Sequence, residues 1–187
     1  KVKKQHFQPM KQQMFEKELL DELIVKYPSQ HIYPNSDYES LFDFMGTNKF
    51  FSFLIPEQYG GKKTSVEEMS NILTYITSAN PSLGVITMVP NSLGPSELLL
   101  HYGTDEQKNK FLPLLANGSK IPCFGLTGPN NGSDATGQID TGKIIKGNNG
   151  KLQIEVTIKK RYITLAPVSN LIGLAFRVED PDQLLDS

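Results

Sequence analysis

The feature that most constrains this chain is a change of hydrophobic period near residue 118. Before it, apolar residues recur at helical spacing between well-marked caps. After it, they alternate with polar ones. In the opening helical stretch Phe15, Leu19, Leu23 and Tyr27 recur every four residues, with Leu20 and Ile24 beside them, and Pro28 closes the run. Ser36-Asp37-Tyr38-Glu39 has capping-box form and opens a helix that stops at Gly46. Ser65-Val66-Glu67-Glu68 repeats that form and starts a helix to about Ala79. Asn80-Pro81 then supplies an N-cap and a first-turn proline. The next helical stretch breaks near Pro90 and resumes through Leu98, Leu99 and Leu100. Thr104-Asp105-Glu106-Gln107 caps a last helix, released at Asn117-Gly118.

Strand signals follow. The run from Ile121 to Thr127 is short and apolar. Asn148-Asn149-Gly150 marks a hairpin, and Leu152, Ile154, Val156 and Ile158 alternate with polar neighbours. Residues 161–166 and 171–178 read as two further strands. Helices first and strands afterwards predict an α+β chain: an all-α domain over 1–118, then an incomplete β domain over 119–187. The chain starts at Lys1 and stops just past a strand-like run, and it reads as a piece of something longer.

Several function classes drop out on charge and composition. Nineteen Lys and Arg against twenty Asp and Glu leave no global field to recruit nucleic acid or an anionic membrane. One cysteine, Cys123, excludes an internal disulfide framework and reads as a buried, inert thiol. The three histidines, at 6, 31 and 101, show no metal-ligand spacing, so no metal site is expected. The polar start KVKKQHFQPMKQQ carries no secretory apolar core. Residues 69–96 hold no charge, but their asparagines and prolines favour a buried helix pair over a membrane span. Lys159, Lys160 and Arg161 read as the solvated edge of a strand.

The segment with chemical content is Cys123-Phe-Gly-Leu-Thr-Gly-Pro-Asn-Asn-Gly-Ser-Asp134. By itself it is either a tight turn with side-chain caps or an anion cradle, in which Gly132 admits a close ligand and Ser133 offers a hydroxyl. Its spacing fits neither a P-loop nor a Rossmann fingerprint.

The run FGLTGPNNGSDA resembles the strand-and-turn signature of the acyl-CoA dehydrogenases, a family of flavin enzymes. RYITLA resembles that family's second flavin-contacting strand. IPEQYGG, PSLGV and YGTDEQKNKFLPLLANGS are similar to its helical domain, in the same order. The likeness spans 50–178, and within the family KRYITLAP and NSLGPSELLLHYGT resemble the large bacterial enzymes of fatty-acid β-oxidation.

The resemblance implies an α domain, part of a middle β-barrel, and a C-terminal helical bundle that is missing from this chain. It implies FAD as cofactor. Phe124, Leu126 and Thr127 would lie along the flavin, Gly132 and Ser133 would face its pyrophosphate, and Ser133 would also reach the CoA arm. Tyr162, Ile163 and Thr164 would supply the second strand's contacts, Tyr162 as an aromatic against the flavin face and Thr164 as a hydroxyl near the hydride-accepting nitrogen. The implied reaction oxidises a fatty acyl-CoA to its trans-2-enoyl thioester. Electrons leave to electron-transfer flavoprotein, in a protein that is a homo-oligomer at full length and is cytoplasmic, with association at the inner face of a bacterial membrane as an alternative to a free form.

The family's base is a Glu of the bundle. Glu57, Glu67, Glu68, Glu97 and Glu106 all sit in capping or helix-surface contexts, so no catalytic residue is expected here and the chain alone is expected to be inactive. An oxidase or monooxygenase on the same fold, and a non-enzymatic CoA-thioester binder, satisfy the same motifs. Three positions depart from the family pattern: Gly128 where a carboxylate is usual, Tyr162 for Trp, and Leu165 for Asn.

Overall fold

The computed structural model describes residues 17–28, 38–92, 94–137 and 139–185. Six α-helices come first: α1 (Lys17–Lys26), α2 (Tyr38–Thr47), α3 (Val66–Ala79), α4 (Pro81–Met88), α5 (Pro95–Tyr102) and α6 (Asp105–Ala116). Five short strands follow: β1 (Pro122–Gly125), β2 (Thr141–Lys146), β3 (Leu152–Val156), β4 (Leu171–Leu174) and β5 (Arg177–Glu179). The α+β reading holds, and no closed barrel forms among the described residues. No helix among them is long and apolar enough to cross a membrane. His6, His31, Phe15 and the Ser36 end of the first capping box lie outside the described residues.

The caps sit where side-chain chemistry puts them. Ser65 accepts from the Glu68 N–H at the start of α3. Thr104 and Gln107 form a reciprocal capping box on α6. Asn80 ends α3 and begins α4, its Oδ1 accepting from the N–H groups of Ser82 and Leu83. Gly84 sets how closely α3 and α4 approach, since a Cβ there would lie 2.1 Å from Thr77 Oγ1.

The helical core is built on the FFSFLI run: Phe50, Phe51 and Phe53 are almost wholly buried beside Leu23, Met45, Ile76 and Leu83, while Ile55 is buried in a second cluster with Leu112, Leu115 and Ala116. Each of the large side chains contributes roughly 1.5–3 kcal/mol of apolar burial. Ile121 joins the first cluster, and Leu165 and Val168 pack on it from the strand-bearing half.

Two small sheets follow. β1 pairs parallel with β4, from Pro122↔Leu171 to Gly125↔Leu174. The other has the order β3-β2-β5, antiparallel across the β2–β3 hairpin and parallel between β2 and β5. The hairpin turns at the expected Asn-Asn-Gly, with Gly150 at φ +76°.

Three expectations are corrected. Residues 171–178 are two strands, because the chain leaves β1 after Leu174 and joins β2 from Arg177. Residues 161–166 are not a strand: the backbone bends at Tyr162 (φ +60°) and turns through 164–168, with Leu165 at φ +65°. Bulky residues rarely adopt that region, and at Leu165 core contact offsets the cost. Lys160 is not a solvated edge residue. Its side chain is only 8% exposed and pairs with Asp140.

Candidate functional site

β1 delivers the chemistry-bearing turn. After Gly125 the chain leaves the sheet, and Gly128 and Asn131 close a short loop, with the Gly128 N–H donating to the Asn131 carbonyl at 3.3 Å. Asn131 is buried, and its Nδ2 donates to the carbonyls of Leu126 (3.0 Å) and Ala135 (3.3 Å), which ties the loop to its own stem. Gly128 makes room for this: a Cβ there would lie 2.6 Å from Asn131 Oδ1 and 3.0 Å from the Lys159 carbonyl.

The second segment crosses this turn. The Arg161 N–H donates to the Thr127 carbonyl at 3.2 Å, and Arg161 Nη2 donates to the Pro129 carbonyl at 3.1 Å. Lys160 Nζ donates to the Leu126 carbonyl at 3.1 Å and lies 2.7 Å from Asp140 Oδ2. Asp140 also accepts the Lys159 N–H on Oδ1, and its backbone carbonyl accepts the Arg177 N–H of β5. The Lys160 ammonium, through its hydrogen bond, holds the Asp140 carboxyl below the usual carboxylate range, and the Lys159 N–H adds to the effect.

The predicted site residues divide by environment. Phe124 is half-buried against Gly173, whose Cβ would approach the Phe124 ring at 3.1 Å. Leu126, Thr127 and Ile163 are half-buried, while Gly132, Ser133 and Thr164 are exposed. Tyr162 is 80% exposed, with the Arg161 guanidinium 4.9 Å from its ring centre. Residues 126–129 and 159–161 are thus brought into direct contact. Thr164 follows three residues beyond, inside the 164–168 turn.

Three features suit a polar, phosphate-bearing ligand. Among the described residues the hydroxyls of Thr127, Ser133 and Thr164 have no hydrogen-bond partner. The amides of Thr127, Gly132 and Ser133 are likewise undonated. A Cβ at Gly132 would meet no atom within 4 Å, so the space above the turn is open. An apolar cleft of about 350 Å³ between α5, α6 and β4, walled by Leu98, Leu99, Phe111, Ile172 and Leu174, contains none of these residues.

Sequence reasoning missed Asn131, Asp140 and Lys160. No local signal marks Lys160: it lies four residues past the end of β3, whose Leu152 and Ile154 on the same parity are themselves about half exposed.

Comparison with known proteins is consistent with this picture. An acyl-CoA dehydrogenase of Bacillus subtilis (strain 168) is 35% identical over 139 residues, covering 74% of this chain and 35% of that protein. A 3-(aryl)acrylate reductase of Clostridium sporogenes is 32% identical over 163 residues, covering 83% of this chain and 42% of that protein. In fold, the chain matches the acyl-CoA dehydrogenase of Bacillus anthracis crystallised with FAD, at TM-score 0.73 and 24% identity, over 92% of this chain and 30% of that one. The chain therefore spans about two fifths or less of each relative. Residues 3–119 match the family model described as acyl-CoA dehydrogenase, N-terminal domain. With the ordered motifs, the helical fold and these matches in agreement, the chain belongs to the acyl-CoA dehydrogenase family.

Proposed function

We propose that this chain carries the helical domain (1–118) and part of the middle β domain (119–187) of a flavin enzyme that oxidises fatty acyl-CoA thioesters to trans-2-enoyl thioesters in β-oxidation. The observation that carries this reading is the crossing of 159–161 over 126–129, joined by the Arg161 N–H to the Thr127 carbonyl. In the proposed site Phe124, Leu126, Thr127, Tyr162, Ile163 and Thr164 line the flavin of FAD. Gly132 and Ser133 face its pyrophosphate, and Ser133 also meets the CoA arm. Bound FAD supplies a two-electron acceptor for the β-hydride of the substrate.

This chain's own residues orient and exclude. The amides of Gly132 and Ser133, undonated among the described residues, suit phosphate oxygens, because a backbone N–H offers a fixed dipole without a mobile side chain. The Thr127 and Thr164 hydroxyls, which have no hydrogen-bond partner among the described residues, are available as donors to the polar edge of the ring. Half-buried Leu126 and Ile163 keep water from the reacting carbons. Asp140, the carboxylate that touches the crossing, is committed to Lys160 and does not serve as the α-proton acceptor. On this reading that acceptor lies outside these residues, and the chain alone does not turn over. Fatty acyl-CoA is the substrate, electron-transfer flavoprotein takes the electrons, and the working form is a cytoplasmic homo-oligomer.

The test uses the intact native protein. It should bind FAD and bleach the flavin on adding a fatty acyl-CoA, with electrons passing to electron-transfer flavoprotein faster than to oxygen. Rapid oxygen consumption would instead place the protein among oxidases of this fold, and no flavin binding would leave a thioester binder. The similarity to the 3-(aryl)acrylate reductase supports a second reading, in which the same site runs in reverse and saturates a 2,3-double bond. Flavin reoxidation by an enoyl or arylacrylate compound would favour it.

A further inference from the structure

We propose that Lys160 and Asn131 are positioning residues: together they fix the Leu126–Thr127 peptide so that the Thr127 N–H is presented to the flavin of FAD. The inference rests on the FAD reading above.

The Leu126 carbonyl is held by two donors of different origin, Asn131 Nδ2 at 3.0 Å from within the turn and Lys160 Nζ at 3.1 Å from the crossing segment. A carbonyl oxygen has two lone pairs, so this one is saturated. The carbonyl and the next N–H share one trans peptide plane and point in opposite directions. Holding the Leu126 oxygen therefore aims the Thr127 N–H away from Lys160 and Asn131. That N–H has no partner among the described residues although Thr127 is half-buried. Covered amides are rarely left undonated without a ligand or water to meet them.

The clamp is built from both ends. Lys160, 8% exposed, is held from behind by Asp140, which is tied to Lys159 and to β5. Burying an ammonium costs desolvation, which the Asp140 carboxylate and the Leu126 carbonyl together offset by fixing the ammonium in one position. On the other side, Asn131 occupies space that any side chain at 128 would contest.

The experiment measures FAD affinity of the intact native protein by quenching of flavin fluorescence, beside thermal melting without ligand. Lys160→Met keeps the length and removes the donor. It should raise the FAD Kd about tenfold or more. Because it strands the Asp140 carboxylate without its partner, it should also lower the ligand-free melting temperature, so the affinity is read at a temperature where the variant is fully folded. Lys160→Arg, which can donate to the same carbonyl, should restore most of the affinity. Asn131→Ser should weaken binding in the same direction, and the double variant should fall short of the sum because both act on one carbonyl. If Lys160→Met fails to fold, Lys160→Gln gives the same reading. Wild-type affinity in Lys160→Met or Lys160→Gln, or weakened binding that Lys160→Arg leaves unrestored, overturns the clamp with the FAD reading intact. Absence of FAD binding by the wild-type protein overturns the FAD reading itself, and the clamp with it.

Discussion

Asn91, just past the end of α4, holds the backbone of Phe53 across the helical core: the Phe53 N–H donates to Asn91 Oδ1 at 2.8 Å. The same amide donates to the carbonyls of Phe50 (2.6 Å) and Thr87 (2.8 Å), and Asn91 is 1% exposed. Three buried hydrogen bonds thus fix the FFSF run on the helices. Asn91→Ala removes all three, and at about 1 kcal/mol each the expected loss is ~3 kcal/mol. Urea denaturation followed by far-UV circular dichroism should show that drop with little change in slope.

Asn80 works at a smaller scale. It caps α4 through two amides and donates to the Tyr27 carbonyl at 2.9 Å, which links α1 to the α3–α4 junction. Asn80→Ala should cost about 1–2 kcal/mol, and Asn80→Ser, which keeps a capping oxygen, clearly less. Equal losses in the two melts would show that the Tyr27 contact, and not the cap, carries the effect.

The Asp140–Lys160 pair sets a pH dependence. The folded carboxyl titrates below its unfolded value, so its contribution is fully present above the ordinary carboxylate range. It is lost as pH falls through the depressed value. The stability difference between wild type and Asp140→Asn should therefore be steady near neutrality and shrink below about pH 4. Asp21, held low chiefly by the Tyr75 hydroxyl and also by Lys17, has the same sign, but its exposure leaves the effect to solvent screening.

Under the proposed reading Thr164 donates near the nitrogen that takes hydride. Thr164→Val keeps the shape and removes the hydroxyl. Flavin reduction by substrate in stopped flow should slow by roughly tenfold, the equivalent of one well-placed hydrogen bond. FAD affinity should change far less. An unchanged rate would remove Thr164 from the reaction.

β3 is an edge strand with Leu152 and Ile154 about half exposed. Such an edge invites pairing between molecules. Light scattering of the 187-residue chain should show concentration-dependent association, and Leu152→Lys with Ile154→Thr should suppress it.

The helical half was legible because its signals are local. Ser65, Asn80 and Thr104 name their own helix starts, and the four-residue recurrence at Leu19, Leu23 and Tyr27 needs no distant partner. The strand half was less so. β2 escaped notice because Thr141–Lys146 has only Ile144 and Ile145 to mark it, although the Asn-Asn-Gly turn required a strand on each side. The run 171–178 looked unbroken because a change of partner strand leaves no trace in composition. Residues 161–166 looked extended because β-branched and aromatic types dominate, while the bend at Tyr162 is imposed by contact with the first turn. The turn through 127–133 stood out by its Gly, Pro, Asn and Ser content, and the resemblance added the flavin roles of its residues. Of the groups that hold them, Asn131 bonds within its own turn to Leu126 and Ala135, while Lys160 reaches Leu126 across 34 positions and pairs with Asp140 across 20, and contacts at that range have no signature in a local window.

The handover between Leu174 and Arg177 means that one short ribbon belongs to both sheets. Sliding β4 by two residues along β1 would drag β5 equally along β2. It would also carry the Arg177 N–H off the Asp140 carbonyl. Misalignment on one side of the molecule is thereby reported on the other, and the ribbon acts as a gauge that only one threading of the chain satisfies.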